Sequence, residues 1–594
     1  MRLPSLLPLA AALGLALSAA SPAHADVYEA SFDGAWFNAT QGGRGALVDY
    51  IPRPSNGTGQ YFIAVYTYDT NGNALWLTLQ ADGREGQRIF RNVEVRRFAG
   101  GSPGNTFTPP SPATGTVVGT AVVDFANCGS LKIDYTPNAA ANGLPAVNFN
   151  YVRLDGQAKA QGCPFTSTFS ACPTGTTAVA GEERTCEIPA GTLTGDVVLP
   201  NSASYVIGGR VAVGGALAAS GQVAANTGTL TIQPGTILRG KTGSLARLII
   251  NPGSKIFAEG SALAPIVMTG PTETGPAEQG SWGGLILAGR APINANCTGP
   301  GSVTCAFEAD TGVVGGGSDP SDNSGVLKYL QVRSAGAVVT PPDKDLNAIT
   351  FLGVGNGTTV SHVQAHNGSD DGFEWFGGTV NADHLIATGN DDDAIDTDFG
   401  FVGKLQYVYV KNDAGSVADS QGLEADNGPS GSNFDASPRS RPQLVNATLD
   451  GSGLATDGAR LRRGTGYILQ NVVITGYATC INLNDSATYL SGAPAGQPTQ
   501  LSGNLTISGA LVNCPKNFDD VAADPWLVSA WFNGQTNNAT STNLLLDGGR
   551  FPQAGSPARS GAVAPTGGEF FERSQVKGAF ADGDWSDGWT VGLD

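Results

Sequence analysis

Residues 361–398 read SHVQAHNGSDDGFEWFGGTVNADHLIATGNDDDAIDTD and contain one unit twice, 22 residues apart. The unit at 361–364 is matched at 383–386, and the unit at 370–374 is matched at 392–396. A period near 22, made of short strands and turns without helical spacing, is typical of one rung of a parallel β-helix. Such a coil stacks its rungs about 4.8 Å apart around an apolar column. We therefore predict an all-β solenoid.

Neighbouring rungs can be aligned on their inward residues, because alternate residues of a strand face opposite sides. The alignment steps by 22, 28, 36 and 22 residues along the chain. The predicted inward column is Phe373, Ile395, Leu423, Ala459 and Ile481. The two predicted outward columns are Glu374, Asp396, Glu424, Arg460 and Asn482, and beside them Phe376, Asp398, Asp426, Arg462 and Asn484.

The outward columns stack like charges, which destabilise a sheet when they lie directly across neighbouring strands. No Lys or Arg occurs between Asp345 and Gly403, so the carboxylates from Glu374 to Asp398 need another counter-charge. A hard cation with oxygen ligands, Ca²⁺, would supply it. The predicted metal ligands are Asp370, Glu374, Asp392, Asp396, Asp398, Glu424 and Asp426. The alternative is a solvated acidic face whose Asp and Asn residues form turns.

Composition limits the possible partners. Gly and Pro contribute 83 and 35 of 594 residues, about 20%, which is below the roughly 25–30% of low-complexity polymers. Hydrophobic residues make up 41% and charged residues 14%, so the chain can build a large core. The net charge of −18 repels phosphate backbones and anionic lipids, and we expect neither nucleic acid nor a membrane surface as partner.

The first 25 residues have the organisation of a secretory signal peptide. Arg2 provides the positive charge, residues 6–20 the apolar segment, and residues 23–25 a small-x-small cleavage site. No later apolar run reaches the ~20 residues of a membrane helix. We expect a monomeric, extracellular protein that is secreted or associated with the cell surface, or a periplasmic one.

Eight cysteines in an exported chain favour disulfides over zinc. We pair chain neighbours, although eight cysteines permit 105 connectivities. The predicted pairs are Cys128 with Cys163, Cys172 with Cys186, Cys297 with Cys305, and Cys480 with Cys514.

The texture of the sequence changes along the chain. Short aromatic segments and an Asn-Gly turn at 69–73 predict a small antiparallel β-domain over 26–165, with its aromatic residues in the core. A linker follows over 166–186, the β-helix occupies 187–521, and 522–594 forms a terminal cap or irregular last rungs. The motifs at 34–36, 43–45 and 68–76 resemble an accessory domain found at the ends of exported proteins in some Gram-negative bacteria.

The segments at 368–378, 389–393 and 396–400 resemble a group of exported bacterial right-handed parallel β-helix proteins, often labelled as lipoproteins or surface proteins. Residues 280–294 and 315–329 are similar to the same group. The resemblance implies a right-handed coil and an extracellular location, but no particular activity. More distantly, the coil resembles the pectate-lyase-like superfamily, which includes lyases and hydrolases acting on acidic polysaccharides.

Two functions remain open at this stage. The first is a non-catalytic, Ca²⁺-stabilised protein that binds an extracellular polysaccharide or a surface partner. The second is a polysaccharide lyase or an inverting glycoside hydrolase, with Asp371, Asp392, Asp393, Arg460 and Arg462 as the candidate catalytic residues. Residues 369–371 and 391–393 resemble in spacing the Asn-Thr-Asp and Asp-Asp elements of polygalacturonases, but the Gly-His-Gly and Arg-Ile-Lys elements of those enzymes have no counterpart here. The Arg residues also have a structural explanation as partners of Glu424 and Asp426.

Overall fold

The structure is a computed structural model. It describes residues 32–53, 58–84, 86–98, 115–154, 165, 167–218, 221–272, 277–299, 304–340, 344–412, 420–453, 455–489, 505–524, 527–580 and 583–593. The predicted signal peptide at 1–25 and Cys163 lie outside the described residues. The domain limits given above stay predictions.

The N-terminal part is a closed barrel of eight antiparallel strands in chain order. Its strands are Gly34–Phe37, Gly45–Arg53, Thr58–Tyr68, Ala74–Arg84, Ile89–Arg97, Thr116–Asn127, Ser130–Pro137 and Val147–Arg153. The predicted turn at 69–73 joins two of them, and the Asp69 carboxylate accepts the backbone N–H groups of Asn71 and Asn73, each at 2.9 Å. The antiparallel β-domain expected from the sequence is thus present.

Inward residues of the barrel form its own core. Trp36, Tyr61 and Phe125 are buried there, as the sequence predicts. Two other aromatic residues of the barrel strands depart from the prediction, since Trp76 is 48% exposed and Tyr66 is 43% exposed. They occupy outward positions of their strands, and the alternation of the strand places them outside the barrel.

The β-helix contains an eleven-stranded parallel sheet, one strand for each rung. Its strands are Gly191–Leu193, Arg210–Val213, Arg247–Ile250, Leu285–Ala288, Ile349–Leu352, Phe373–Phe376, Ile395–Asp398, Glu424–Ala425, Asp457–Leu461, Thr479–Leu483 and Lys516–Phe518. Phe373 pairs with Ile395, and Ala459 pairs with Ile481. The rung alignment predicted from the sequence is therefore confirmed.

A second sheet of 18 strands forms the remaining wall of the coil. Its strands are Thr177–Ala178, Thr185–Ile188, Gly195–Leu199, Ser204–Ile207, Gly228–Ile232, Ile237–Gly240, Lys255–Glu259, Ile266–Thr269, Gly325–Arg333, Thr359–His366, Asn381–Thr388, Lys404–Lys411, Gln443–Asp450, Ile468–Gln470, Val473–Thr475, Thr506–Ser508, Leu511–Asn513 and Ala539–Thr540. The 22-residue repeat of residues 361–398 begins in this sheet, with Ser361 beside Asp383 and Val363 beside Leu385.

The remaining elements are short. Three two-stranded ribbons join Cys305–Ala306 to Val314–Gly315, Val338–Thr340 to Lys344–Asp345, and Leu546–Asp547 to Phe551–Pro552. Within the described ranges the α-helices are Ser486–Tyr489 and Val528–Asn533, and Pro557–Arg559 is a 3-10 helix. Among the described residues, no helix is long and apolar enough to cross a membrane.

The interior of the coil is an apolar column in which aromatic rings stack from rung to rung. Trp375 is fully buried and lies parallel to Phe351 and Phe401, with ring centroids 5.3 and 5.4 Å away. Three of the predicted disulfides are present: Cys172–Cys186, Cys297–Cys305 and Cys480–Cys514. The fourth predicted pair includes Cys163 and lies beyond the described part of the chain.

The chain ends in a segment that runs along the outer face of the eighteen-stranded sheet. We call residues 563–580 and 583–593 the C-terminal strap. The side-chain amide of Asn471 donates to the Val563 carbonyl at 2.9 Å, that of Asn446 donates to the Val576 carbonyl at 2.8 Å, and the Val591 N–H donates to Gln364 at 3.0 Å. Between these contacts the strap doubles back, because the Glu572 N–H donates to Gln406 at 2.8 Å and the Gly578 N–H donates to the Asn471 carbonyl at 2.8 Å; its last residues then reach the rung of Gln364.

Candidate functional site

The predicted acidic columns are aligned on the outer side of the eleven-stranded sheet. Glu374 pairs with Asp396, Asp396 with Glu424, and Glu424 with Arg460. Phe376 pairs with Asp398 in the neighbouring column. The sequence therefore placed these side chains on the correct face and on adjacent rungs.

A third line of acids lies in the turn that leads into each of these strands. The Asp371 carboxylate accepts the backbone N–H of Asp393 at 2.9 Å, and the Asp393 carboxylate accepts the N–H of Gln421 at 3.0 Å. Each aspartate thereby bonds the equivalent turn of the next rung. This bond fixes one carboxylate oxygen and directs the group along the coil rather than into solvent.

Three carboxylates converge where the lines meet. One oxygen each of Asp371, Glu374 and Asp396 lies within 4.8 Å of the other two, and we call these residues the carboxylate cluster. A second such group, Asp370, Asp371 and Asp392, shares Asp371 with it. Two unit charges 4.8 Å apart repel by about 3.5 kcal/mol at an effective dielectric constant of about 20. Three such pairs approach the whole stability of a typical domain, which is about 5–15 kcal/mol.

Burial makes this repulsion harder to relieve. Asp371 is 7% exposed and Glu374 is 9% exposed. Burial, together with the neighbouring carboxylates, raises the pKa values of Asp371, Glu374 and Asp396 well above their usual range. The Asp396 Oδ1 atom is buried and has no hydrogen-bond partner in the part of the chain that the structure describes. The cluster must therefore hold protons or a cation.

The pKa shift extends to the neighbouring acids. Burial raises the pKa of Asp370, and the nearby Asp392 carboxylate adds to the effect. Burial, with the nearby Glu424 and Asp392 carboxylates, raises the pKa of Asp393 well above its usual range. Asp392 is exposed, so the candidate catalytic pair Asp392 and Asp393 has one accessible and one buried member.

Arginines neutralise only the C-terminal end of the acidic columns. Arg462 pairs with Glu424 and, at 3.0 Å, with Asp426. Arg463 adds a second cation to Asp426 at 2.7 Å. Burial nevertheless raises the pKa of Asp426 to about 6, against the pull of these two guanidinium groups. The ion-pair role considered for Arg462 in the sequence analysis is thus confirmed.

Arg460 pairs with an acid of its own strand. Its Nε lies 3.0 Å from Asp457, three residues earlier on the same strand, and Asp457 also accepts a hydrogen bond from Asn482 at 2.8 Å. Both candidate catalytic arginines are held in ion pairs, and their side chains are 14% and 22% exposed. Neither is presented to solvent as an accessible proton acceptor.

A long loop covers the acidic face, and the rung pattern of the sequence does not predict its position. We call residues 290–299 and 304–319 the covering loop. Phe307 packs edge-on against Phe376 with ring centroids 5.5 Å apart, and Asp310 pairs with Arg210 and Arg247 at 2.7 and 2.8 Å. Towards the lower rungs, the Asn294 amide donates to the Asn427 carbonyl at 3.1 Å. The loop thus spans the face from the early rungs to the acids.

The covering loop adds a negative charge rather than a positive one. The Glu308 carboxylate contributes to the raised pKa values of both Asp370 and Glu374. From the other side, the Asn347 amide donates to the Glu374 carboxylate. Nothing in the rung pattern pointed to Glu308, Asn347 or Asp457, because they lie off the two columns. Arg463 could have been included, since it directly follows Arg462.

Carboxylate oxygens in this arrangement are the ligands preferred by Ca²⁺, which takes six to eight oxygens at flexible geometry. The carboxylate cluster offers up to six carboxylate oxygens. Asp398 and Asp426 are also buried, but they lie at the end where the arginines provide counter-charge. Of the seven predicted ligands, Glu374 and Asp396 therefore converge with Asp371, and Glu424 and Asp426 are engaged by arginine.

A comparison with protein-family models bears on this fold and site. Residues 191–544, more than half of the chain, match the model described as the pectate-lyase-like beta helix domain. The chain belongs to this family. The match contains every candidate residue of the acidic columns, and it ends after the last strand of the eighteen-stranded sheet. Neither a curated protein nor a solved structure matches the chain significantly.

Proposed function

We propose that the chain is an exported, Ca²⁺-stabilised β-helix protein that binds an extracellular polysaccharide or a surface partner without cleaving it. One observation carries the calcium part: oxygens of the buried Asp371 and Glu374 and of the half-buried Asp396 lie within 4.8 Å of one another. The sequence supplies no Lys or Arg between positions 345 and 403 to neutralise them. A divalent cation at their centre would attract all three carboxylates and so offset their mutual repulsion.

The cation has a structural role in this proposal. It joins Glu374 and Asp396 of adjacent rungs to the Asp371 turn, and so fixes the stacking of the coil where the acids would otherwise separate it. Membership of the pectate-lyase-like family and the three disulfides support an extracellular location. We expect the protein to act as a monomer.

Limited access supports binding over cleavage. A lyase or hydrolase acting on the acidic columns needs a sugar ring beside an acid and a base. Here the covering loop lies over that face, and both Arg460 and Arg462 are engaged in ion pairs. Asp371 and Asp393 are themselves buried, so an extended polysaccharide has little access to their carboxylates.

Thermal unfolding of the mature protein, in 1 mM CaCl₂ and in chelator, tests the calcium part. A ligand that binds only the folded state must raise the melting temperature. An unchanged melting temperature would refute the calcium site.

Incubation with uronate-containing polysaccharides tests the absence of cleavage. We expect neither new ultraviolet absorbance from unsaturated ends nor new reducing ends. Product formation that disappears in Arg460→Ala or Asp392→Ala would instead establish the enzyme.

A further inference from the structure

The barrel carries an aromatic surface that the family match does not include. Trp76 and Tyr66 lie directly opposite each other on adjacent strands and point outward, and both are more than two-fifths exposed. Phe98 stacks on Trp76 with ring planes 14° apart and centroids 5.5 Å apart. Large aromatic residues left at a surface in one continuous patch mark an interaction site more often than isolated ones do.

Trp76 and Phe98 form one wall of a cleft of about 770 Å³ on the outside of the barrel. This volume lies within the usual range of ligand sites, about 300–1,000 Å³. The polar lining includes Gln80, Asp82 and Glu94, whose amide and carboxylate groups lie beside the aromatic wall. A cleft with one aromatic wall and several polar groups combines apolar contact with directional hydrogen bonding.

We propose that this cleft binds an uncharged glycan chain. A sugar ring has an apolar C–H face that packs on an aromatic ring, and an edge of hydroxyl groups that pair with planar amide, carboxylate and guanidinium groups. The charges of the lining cancel, because Asp82 and Glu94 are balanced by Arg91 and Arg96.

Both arginines are already engaged, Arg96 with Glu94 and Arg91 with Glu183. The cleft therefore has no excess positive charge for a polyanion, and the chain as a whole carries −18. A lipid surface or an apolar peptide would in turn leave the polar lining unpaired, which costs free energy. A neutral polysaccharide satisfies both the aromatic wall and the polar lining.

This inference deepens the proposed function by assigning glycan binding to the barrel rather than to the acidic face. Affinity electrophoresis of the full mature chain tests it, with gels containing hydroxyethylcellulose, xylan or glucomannan, and with polygalacturonate and alginate as charged comparisons. We expect retardation by at least one neutral polymer. Trp76→Ala should weaken the apparent affinity at least about tenfold, as expected for truncation of an aromatic anchor.

Val152→Ala is the matched control, because Val152 is 49% exposed on the same barrel and does not line the cleft. It should bind like the unsubstituted protein. Unchanged melting temperature and far-ultraviolet circular dichroism verify that Trp76→Ala folds, and Trp76→Phe should retain most of the binding. Retardation only by the charged polymers, retardation by none, or equal binding by Trp76→Ala would each overturn the inference.

The gels are run with calcium and with chelator. The cleft contains no proposed calcium ligand, so binding should persist in chelator as long as the chain stays folded. Absence of a calcium effect on the melting temperature would refute the proposed cation site alone. Absence of retardation by every polymer would refute polysaccharide binding as a whole, and retardation that persists unchanged in Trp76→Ala would refute the glycan cleft alone.

Discussion

Asp396→Asn removes one charge from the carboxylate cluster with almost no change of shape. In the wild-type protein without a cation, Asp396 is within 4.8 Å of both Asp371 and Glu374, and each ionised pair repels by about 3.5 kcal/mol. Protonation of one carboxyl group limits the free-energy cost of this repulsion. Holding one carboxyl protonated at pH 7.5 against an ordinary pKa of about 3.9 requires about 5 kcal/mol. The substitution should therefore stabilise the cation-free protein by up to about 5 kcal/mol.

The same substitution should have the opposite effect on the response to calcium. With 1 mM Ca²⁺ and a dissociation constant on the order of 10 μM, the wild-type protein gains about 2.7 kcal/mol. Asp396→Asn loses one charged ligand from a set of three and should lose most of that gain. We expect a melting temperature above wild type in chelator, and little or no increase when calcium is added.

Differential scanning fluorimetry at pH 7.5, in 1 mM CaCl₂ or 1 mM EGTA, measures both effects. Asp322→Asn is the control, because Asp322 is also buried with a raised pKa but lies outside the acidic columns. It should keep the wild-type calcium shift. If Asp396→Asn lowered the melting temperature equally in both buffers, the carboxylate would be an ordinary structural group and the reasoning would be refuted.

Three further predictions follow from the same contacts. In chelator, the melting temperature should rise as the pH falls from 8 to 5, because the carboxylate cluster has raised pKa values and its contribution to stability is lost as the pH rises through them. In saturating calcium, the melting temperature should fall over the same pH range. Equal slopes of melting temperature against pH in the two buffers would contradict this prediction. Arg462→Ala should lower the free energy of unfolding, measured in urea, by about 3–5 kcal/mol, because it leaves Glu424 and Asp426 with less counter-charge. Arg462→Lys should lower it by less. A decrease under about 1 kcal/mol for Arg462→Ala would contradict the ion-pair account. Replacing Cys480 and Cys514 by Ser opens a loop of 34 residues and should lower the free energy of unfolding by about 3.8 kcal/mol, measured in the same way. An unchanged free energy of unfolding would argue against a contribution from this disulfide.

The rung register could be predicted from the sequence because a strand has a period of two residues. A misalignment by one residue would have placed Glu374 or Asp396 in the core, so the apolar residues Phe373 and Ile395 fixed the alignment. The same logic gave the stacked histidines of the 22-residue repeat. His362 and His384 lie nearly parallel with ring centroids 4.2 Å apart, on a different sheet from the acids.

What the sequence left out are contacts between residues far apart in the chain. The covering loop reaches the acidic face through Phe307, which packs on Phe376 two rungs further along the coil, and no periodicity relates the two residues. The loop also brings the Glu308 carboxylate near Asp370 and Glu374, where it adds to the effect of burial in raising their pKa values. The exposed positions of Trp76 and Tyr66 were also missed, because composition alone places aromatic residues in the core.

The most direct test of the cation site is the amount of calcium bound by the purified mature protein. After equilibrium dialysis against 0.1 mM CaCl₂ at pH 7.5, inductively coupled plasma mass spectrometry gives the molar ratio of calcium to chain. We predict at least one Ca²⁺ per wild-type chain and about one fewer in the Glu374→Gln, Asp396→Asn double variant. A wild-type protein without bound calcium, or a double variant that binds as much as wild type, would contradict the account.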